Sequence, residues 1–150
     1  MNIISWNIKG AKRGIPNLAQ FISKYTPALV FLSEPQLYHC DVSLALIPLN
    51  KTYCYFLNSE DTYHPELALE KRRAKGGKLA LWHSTLDPFV SILPTTSPAV
   101  LPLLLTIPGV ASTVHICLYM PTAGLEAEFV IALASLSSAL QKTSLLQLFM

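Results

Sequence analysis

The sequence predicts an α/β fold, and three features carry that prediction. Asn2 to Ile8 and Ala28 to Leu32 are apolar strands separated by a single helix, a β-α-β order that makes them parallel neighbours joined by a crossover. Leu101 to Ile107 and Ala111 to Tyr119 flank Pro108-Gly109, which reads as a β-hairpin. Leu125, Phe129, Leu133, Leu136 and Leu140 recur at the spacing of an amphipathic helix, with Glu126 and Glu128 in the first turn where the helix dipole favours them.

The other elements follow in order. Gly10 to Gly14 reads as a basic loop. A helix starts at Pro16, a residue suited to the first helical position. Leu18, Phe21, Ile22 and Tyr25 form its apolar face, and Pro27 stops it. Ala28 to Leu32 is apolar throughout, as a strand covered on both faces should be. Tyr53 to Leu57 is an aromatic strand. Asn58 to Lys75 is a polar loop, with a short helical turn near Leu67 to Arg73. Gly76-Gly77 opens a strand over Lys78 to His83, and Phe89 to Leu93 is a further extended run. Gln141 to Thr143 reads as a break and Ser144 to Met150 as a last strand.

Composition narrows the class. The 150 residues suit one domain, and 51% hydrophobic with only 13% charged residues excludes a disordered chain. The net charge is +2, but eight of the 11 Lys and Arg fall in two groups: Lys9, Lys12 and Arg13, and then Lys71, Arg72, Arg73, Lys75 and Lys78. Both groups are placed in loops, either as solvated charge or as phosphate contacts. Cys40, Cys54 and Cys117 are odd in number and lack a Cys-x-x-Cys spacing. They therefore read as buried thiols in a reducing compartment, with no disulfide partner and no zinc. Ala99 to Met120 is the oiliest stretch, but Pro102, Pro108, Gly109 and His115 interrupt it, so no membrane span is expected. His39, His64, His83 and His115 are scattered. His115 lies inside a strand and reads as structural, whereas His83 ends one and is able to face a site.

Polar side chains at strand ends carry the chemistry. Asn7 closes the first strand in Ser5-Trp6-Asn7, and Glu34 closes the second in Ser33-Glu34-Pro35. A carboxylate in that position is a natural ligand for a hard cation, and an amide beside it is able to orient a phosphate. With Gly76 and Gly77 ahead of Trp82, and Tyr119-Met120-Pro121-Thr122 ahead of an amphipathic helix, the series resembles the endonuclease/exonuclease/phosphatase superfamily. Within it, the likeness is to the apurinic/apyrimidinic-type endonuclease domain of non-LTR (LINE-type) retrotransposons.

The resemblance implies the N-terminal half of a four-layer α/β sandwich, a mixed sheet with flanking helices, in which one inner sheet face would be left uncovered. It implies Glu34 as the Mg²⁺ (or Mn²⁺) ligand, Asn7 as the amide that positions the phosphate, and Tyr119 as a hydrogen-bond donor to the scissile phosphate. Lys9, Lys12, Arg13, Arg72, Arg73, Lys75 and Lys78 become candidate DNA contacts. The expected activity is DNA nicking by hydrolysis, in an intracellular protein, nuclear or cytoplasmic.

Two departures qualify this. Pro35 stands where the family commonly has Thr, and neither Gly-Asp-x-Asn nor a terminal Asp-His is present. Residues 1–150 are therefore expected to be an incomplete domain, inactive alone, that engages DNA if a C-terminal half completes it. A non-catalytic remnant, or another phosphoesterase such as a phosphoinositide phosphatase or deadenylase, is the alternative.

Overall fold

The computed structural model describes residues 1–49, 51–59, 74, 76–118 and 126–148, with the backbone alone at 126, 128, 129, 139 and 142–148. The chain forms two compact units, Met1–Asp87 and Pro88–Met150.

The first unit is a four-stranded mixed sheet, built from β1 (Ile3–Asn7), β2 (Leu29–Ser33), β3 (Tyr53–Asn58) and β4 (Lys78–His83) in the spatial order β1-β2-β4-β3. As expected, β1 and β2 are parallel; β4 runs antiparallel to both of its neighbours. Side chains alternate across a strand, so one face carries Ile4, Trp6, Val30, Leu32, Leu57, Leu79 and Leu81. These pack against helix α1 (Ala11–Tyr25) and the short helix α2 (Val42–Ala45) in a single core. Fully burying a Leu of this kind stabilises by roughly 1.5–3 kcal/mol. Tyr53 joins the core and donates its hydroxyl to Pro27 O at 2.6 Å; burial pushes that phenol above its usual pKa.

The opposite face is not open at its centre. Leu29, Phe31, Ala80 and Trp82 are all below 8% exposed, contrary to the expectation of an uncovered sheet. The Trp82 indole donates to Asp87 Oδ1 at 2.9 Å. Burial raises the pKa of the Cys54 thiol, and the hydrogen bond and charge of Asp87 raise it further.

Helix α1 departs from the prediction in two ways. It begins at Ala11, so Lys12 and Arg13 lie in its first turn and Pro16 lies inside it. The early start is possible because the tail of β2 satisfies the first amides: Gly10 N donates to Glu34 O and Ala11 N to Pro35 O. Its buried face is Ala11, Gly14, Ile15, Leu18 and Ile22. Phe21 and Tyr25 are exposed, stacking on each other with ring centres 5.9 Å apart.

The second unit is an antiparallel meander of β5 (Val90–Ile92), β6 (Val100–Leu105) and β7 (Thr113–Leu118), with helix α3 (Glu126–Leu148) against β6. The predicted hairpin at Pro108-Gly109 is present, with Gly109 at φ 77. The helix is longer than predicted. Ser144–Leu148 continues α3, so the break and the final strand are absent there. Gln141 to Thr143 contains no Gly or Pro, and the leucines beyond are good helix formers. The predicted leucine stripe is also not the packed face, since Leu133 and Leu140 are exposed. Ala132 and Ser135, one turn apart, are buried instead. The Ser135 hydroxyl hydrogen-bonds that of Thr95 and accepts from Thr96 N at 3.2 Å.

His115 is half-buried in β7, and its ring Nε2 lies 3.0 Å from Thr113 Oγ1. Burial disfavours the imidazolium and lowers its pKa below 6.5. The unfolded chain therefore takes up a proton before the folded one does, and stability falls as pH drops below about 6.5. In urea titrations between pH 7.5 and 5.5, His115→Gln is expected to flatten this slope. An unchanged slope would show that other groups set it.

Candidate functional site

One end of the first sheet gathers the predicted polar residues. The register aligns Asn7 with Ser33, Ser33 with Lys78, and Lys78 with Asn58, so a single rung crosses all four strands. These four side chains share the sheet face opposite the helices. Just beyond the rung, β2 runs into Glu34-Pro35-Gln36, β1 into Ile8-Lys9-Gly10, and β4 is entered from Gly76-Gly77.

Backbone hydrogen bonds lock these segments together. Ile8 N donates to Ser33 O at 3.0 Å, and Gly10 N to Glu34 O at 2.9 Å. On the other side, Glu34 N donates to Gly77 O at 3.1 Å and Gln36 N to Gly76 O at 3.3 Å. Pro35 falls between these two donors, and alternate residues donate toward a given antiparallel neighbour. Its missing N–H therefore costs no bond, and its carbonyl still accepts from Ala11 N at 2.8 Å. Proline at this position is thus compatible with the loop.

The glycines fit by necessity. Gly77 has φ 83, and a Cβ there would lie 3.3 Å from Asn58 O and 3.7 Å from the Pro35 ring. Glu34 itself has φ 54, the left-handed region that a non-glycine residue rarely holds without a structural reason. It is half-buried. Asn7 is exposed, and its side-chain carbonyl accepts from Lys9 N at 3.2 Å, which leaves its NH₂ as the end able to meet an anion.

The predicted basic residues separate. Lys9 lies in the β1–α1 connection, and Lys12 and Arg13 lie at the start of α1, all exposed and at this same end. That helix start has no acidic residue in its first turn and no side-chain cap. Lys78 is the correction. It opens β4, where the predicted strand begins, but it is only 1% exposed and so is not a solvated loop charge. Tyr119, Arg72, Arg73 and Lys75 lie outside the described residues, as do His64 and the predicted helical turn near Leu67 to Arg73.

Other predicted groups lie elsewhere. His83 closes the far end of β4, where it pairs with Tyr53 and bonds Thr85, so it does not face this end. Cys40 is exposed rather than buried, Cys54 is intermediate and Cys117 buried. Among the described residues no three His, Cys, Asp or Glu converge on a point. Glu34 contributes one carboxylate at this sheet end, and no all-protein cage for a cation surrounds it among the described residues. Among the described residues no helix is long and apolar enough to cross a membrane.

Sequence comparison finds no matching protein-family model and no matching curated protein. Structure comparison does find likenesses. The crystal structure of the AP endonuclease LMAP from Leishmania major matches over 93% of this chain and 46% of its own, with TM-score 0.60 and 16% identity. Humanized D. rerio TDP2 matches over 93% and 58%, with TM-score 0.56 and 20% identity. ANGEL2, a 2′,3′-cyclic phosphatase, matches over 90% and 46%, with TM-score 0.57 and 15% identity. The chain therefore spans about half the length of these structures. They are endonuclease/exonuclease/phosphatase proteins, and it is their fold, in part, that this chain adopts.

Proposed function

We propose that the chain carries the metal- and phosphate-binding half of a phosphodiesterase site of the DNA-nicking type, as in the endonuclease of a LINE-type retrotransposon. The observation that carries the reading is the shared sheet end, where Asn7, Glu34 and the Gly76-Gly77 turn are tied by backbone hydrogen bonds. Glu34 would hold Mg²⁺ or Mn²⁺, and a bound divalent cation would neutralise charge growing on the phosphate oxygens. The Asn7 NH₂ would donate to a non-bridging oxygen and orient the group. Tyr119 is assigned a second donor role by its Tyr-x-Pro-Thr motif. DNA is the proposed partner. Lys12 and Arg13 stand at a helix start where positive charge is unfavourable by roughly 0.3–1 kcal/mol, a cost that a bound phosphate backbone would reverse.

One specific observation favours a second, non-catalytic reading. Residues 1–150 contain no Gly-Asp-x-Asn, so within them no such Asp and Asn are present to hold an attacking water. A supercoiled-plasmid assay in Mg²⁺ with a parallel gel-shift separates the two. Nicking that is lost in Glu34→Ala establishes the endonuclease. DNA binding that needs Mg²⁺ and Glu34, without nicking, establishes a binding remnant. If neither nicking nor binding depends on Glu34, both readings fail.

A further inference from the structure

The solvent side of helix α1 joins positive charge to exposed aromatic rings. No Asp or Glu occurs before Glu34, whereas Lys9, Lys12, Arg13 and Lys24 all do. Arg13, Asn17, Gln20 and Lys24 recur at helical spacing and are all exposed, so they line one stripe of α1. From Arg13 to Lys24 the stripe is about 16 Å long, the rise of roughly five stacked nucleotides.

An aromatic ledge runs beside this stripe. Phe21 and Tyr25, one turn apart, are 52% and 46% exposed, and their ring centres lie 5.9 Å apart with the planes at 26°. Trp6 packs against the core, and its ring centre is 6.4 Å from that of Phe21, so it backs the ledge from β1. Lys24 Nζ stands 5.0 Å from the centre of the Tyr25 ring. An i, i+4 aromatic pair supports a helix by itself, but α1 already buries an apolar face of Ile15, Leu18 and Ile22 against the sheet. Exposed rings beside a positive stripe with no acidic residue fit a polymer that alternates flat bases with negative phosphates. A lipid surface fits less well, because exposed Asn17, Gln20 and Ser23 interrupt this side and leave no continuous apolar face to enter it. Duplex DNA keeps its bases inside the stack, so only a single strand offers base faces to the rings.

We propose that the outer face of α1 binds single-stranded nucleic acid, with bases stacked on Phe21 and Tyr25 and phosphates held by Arg13 and Lys24. The surface uses neither Glu34 nor a metal, and so goes beyond the phosphodiesterase reading above. An exposed cation–π contact is weaker than a base–aromatic stack, so a base displaces the Lys24 ammonium from the Tyr25 ring. The flexible lysine stem then carries its charge to the adjoining phosphate.

The test uses the full chain in EDTA with a fluorescent 12-nucleotide oligothymidylate, read by anisotropy. Phe21→Leu and Tyr25→Leu, which keep apolar bulk but lose the ring, are each expected to weaken binding about fivefold or more. Tyr25→Phe should bind as wild type does. Arg13→Gln and Lys24→Gln should each flatten the dependence of log affinity on log salt by about 0.7. Lys51→Gln, which removes an exposed cation ahead of the opposite edge strand β3, should leave that slope unchanged. An abasic strand of the same length should bind wild type about fivefold more weakly or worse than oligothymidylate; this comparison needs no variant and decides if one fails to fold. The proposal is overturned if both leucine variants bind within about twofold of wild type, if the abasic strand binds as tightly as oligothymidylate, or if wild type binds no oligothymidylate. Ring-dependent binding to phosphatidylserine vesicles in place of oligothymidylate overturns it as well. With no metal present, none of these outcomes bears on Glu34, which the Mg²⁺ experiments test separately.

Discussion

Gly14→Val is expected to destabilise the first unit by about 3 kcal/mol, at the upper end of what overpacking costs. A Cβ at Gly14 would fall 2.1 Å from Ile8 Cγ1 and 2.6 Å from Cδ1, so the Ile8 side chain, buried at 7% exposure, must shift to admit it. Glycine in a helix interior normally costs about 1 kcal/mol relative to alanine. Here it allows the exit of β1 to pass directly over α1. Gly14→Ala recovers that propensity term but meets the same clash, so a smaller net loss of about 1–2 kcal/mol is expected. Urea denaturation followed by Trp6 and Trp82 fluorescence reads the loss. The cause is separable: in the Ile8→Ala background, Gly14→Ala should cost much less. If the two substitutions are additive, the close approach is not what requires glycine.

Glu34→Gly and Glu34→Ala are expected to abolish Mg²⁺-dependent duplex binding alike, by at least tenfold, while differing in stability. Glu34 sits at φ 54, where an L-residue pays about 1–2 kcal/mol that glycine avoids. Glycine also gives the unfolded chain more freedom, offsetting about 0.4–1 kcal/mol of that gain. The glycine variant should therefore be the more stable by up to about 1 kcal/mol, and comparable to or better than wild type. That pattern marks a residue held in strain for its side chain. If Glu34→Gly bound Mg²⁺ and duplex normally, the carboxylate would have no part in the site.

Much of this was legible in the sequence where a local rule and a long-range one agreed. The run from Ala28 to Leu32 has no polar interruption, and β2 lies in the middle of its sheet, buried from Leu29 to Leu32. Gly76-Gly77 and the strand after it were placed correctly because glycine at positive φ marks a turn whatever surrounds it. Failures came where tertiary partners decide. The start of α1 was placed too late because its cap is not a side chain in the local sequence but carbonyls of Glu34 and Pro35, over twenty residues away. In α3 the leucine spacing suggested the packed face, yet Ala132 and Ser135 are buried there. Small residues bring a helix close to a sheet, and hydrophobic periodicity alone does not see them.

The candidate site was half legible. Asn7 and Glu34 were found as strand-end polar groups, and the register does bring their strands to one end. Lys78 was placed in a basic run and at the head of the strand after Gly76-Gly77, but its burial was not foreseen. Its sequence signal was its place after Gly76-Gly77, as the first residue of an otherwise apolar strand, where alternation puts it in phase with Ala80 and Trp82.

The most direct test of a metal- and phosphate-binding sheet end is an Mg²⁺ titration of the ¹⁵N-labelled full chain, followed by amide NMR. The backbone amides of Asn7, Lys9, Glu34 and Gly77 are predicted to shift together along one saturable isotherm, and that response should vanish in Glu34→Gln. Saturable shifts confined to other parts of the chain, or no saturable shift at all, would contradict the assignment.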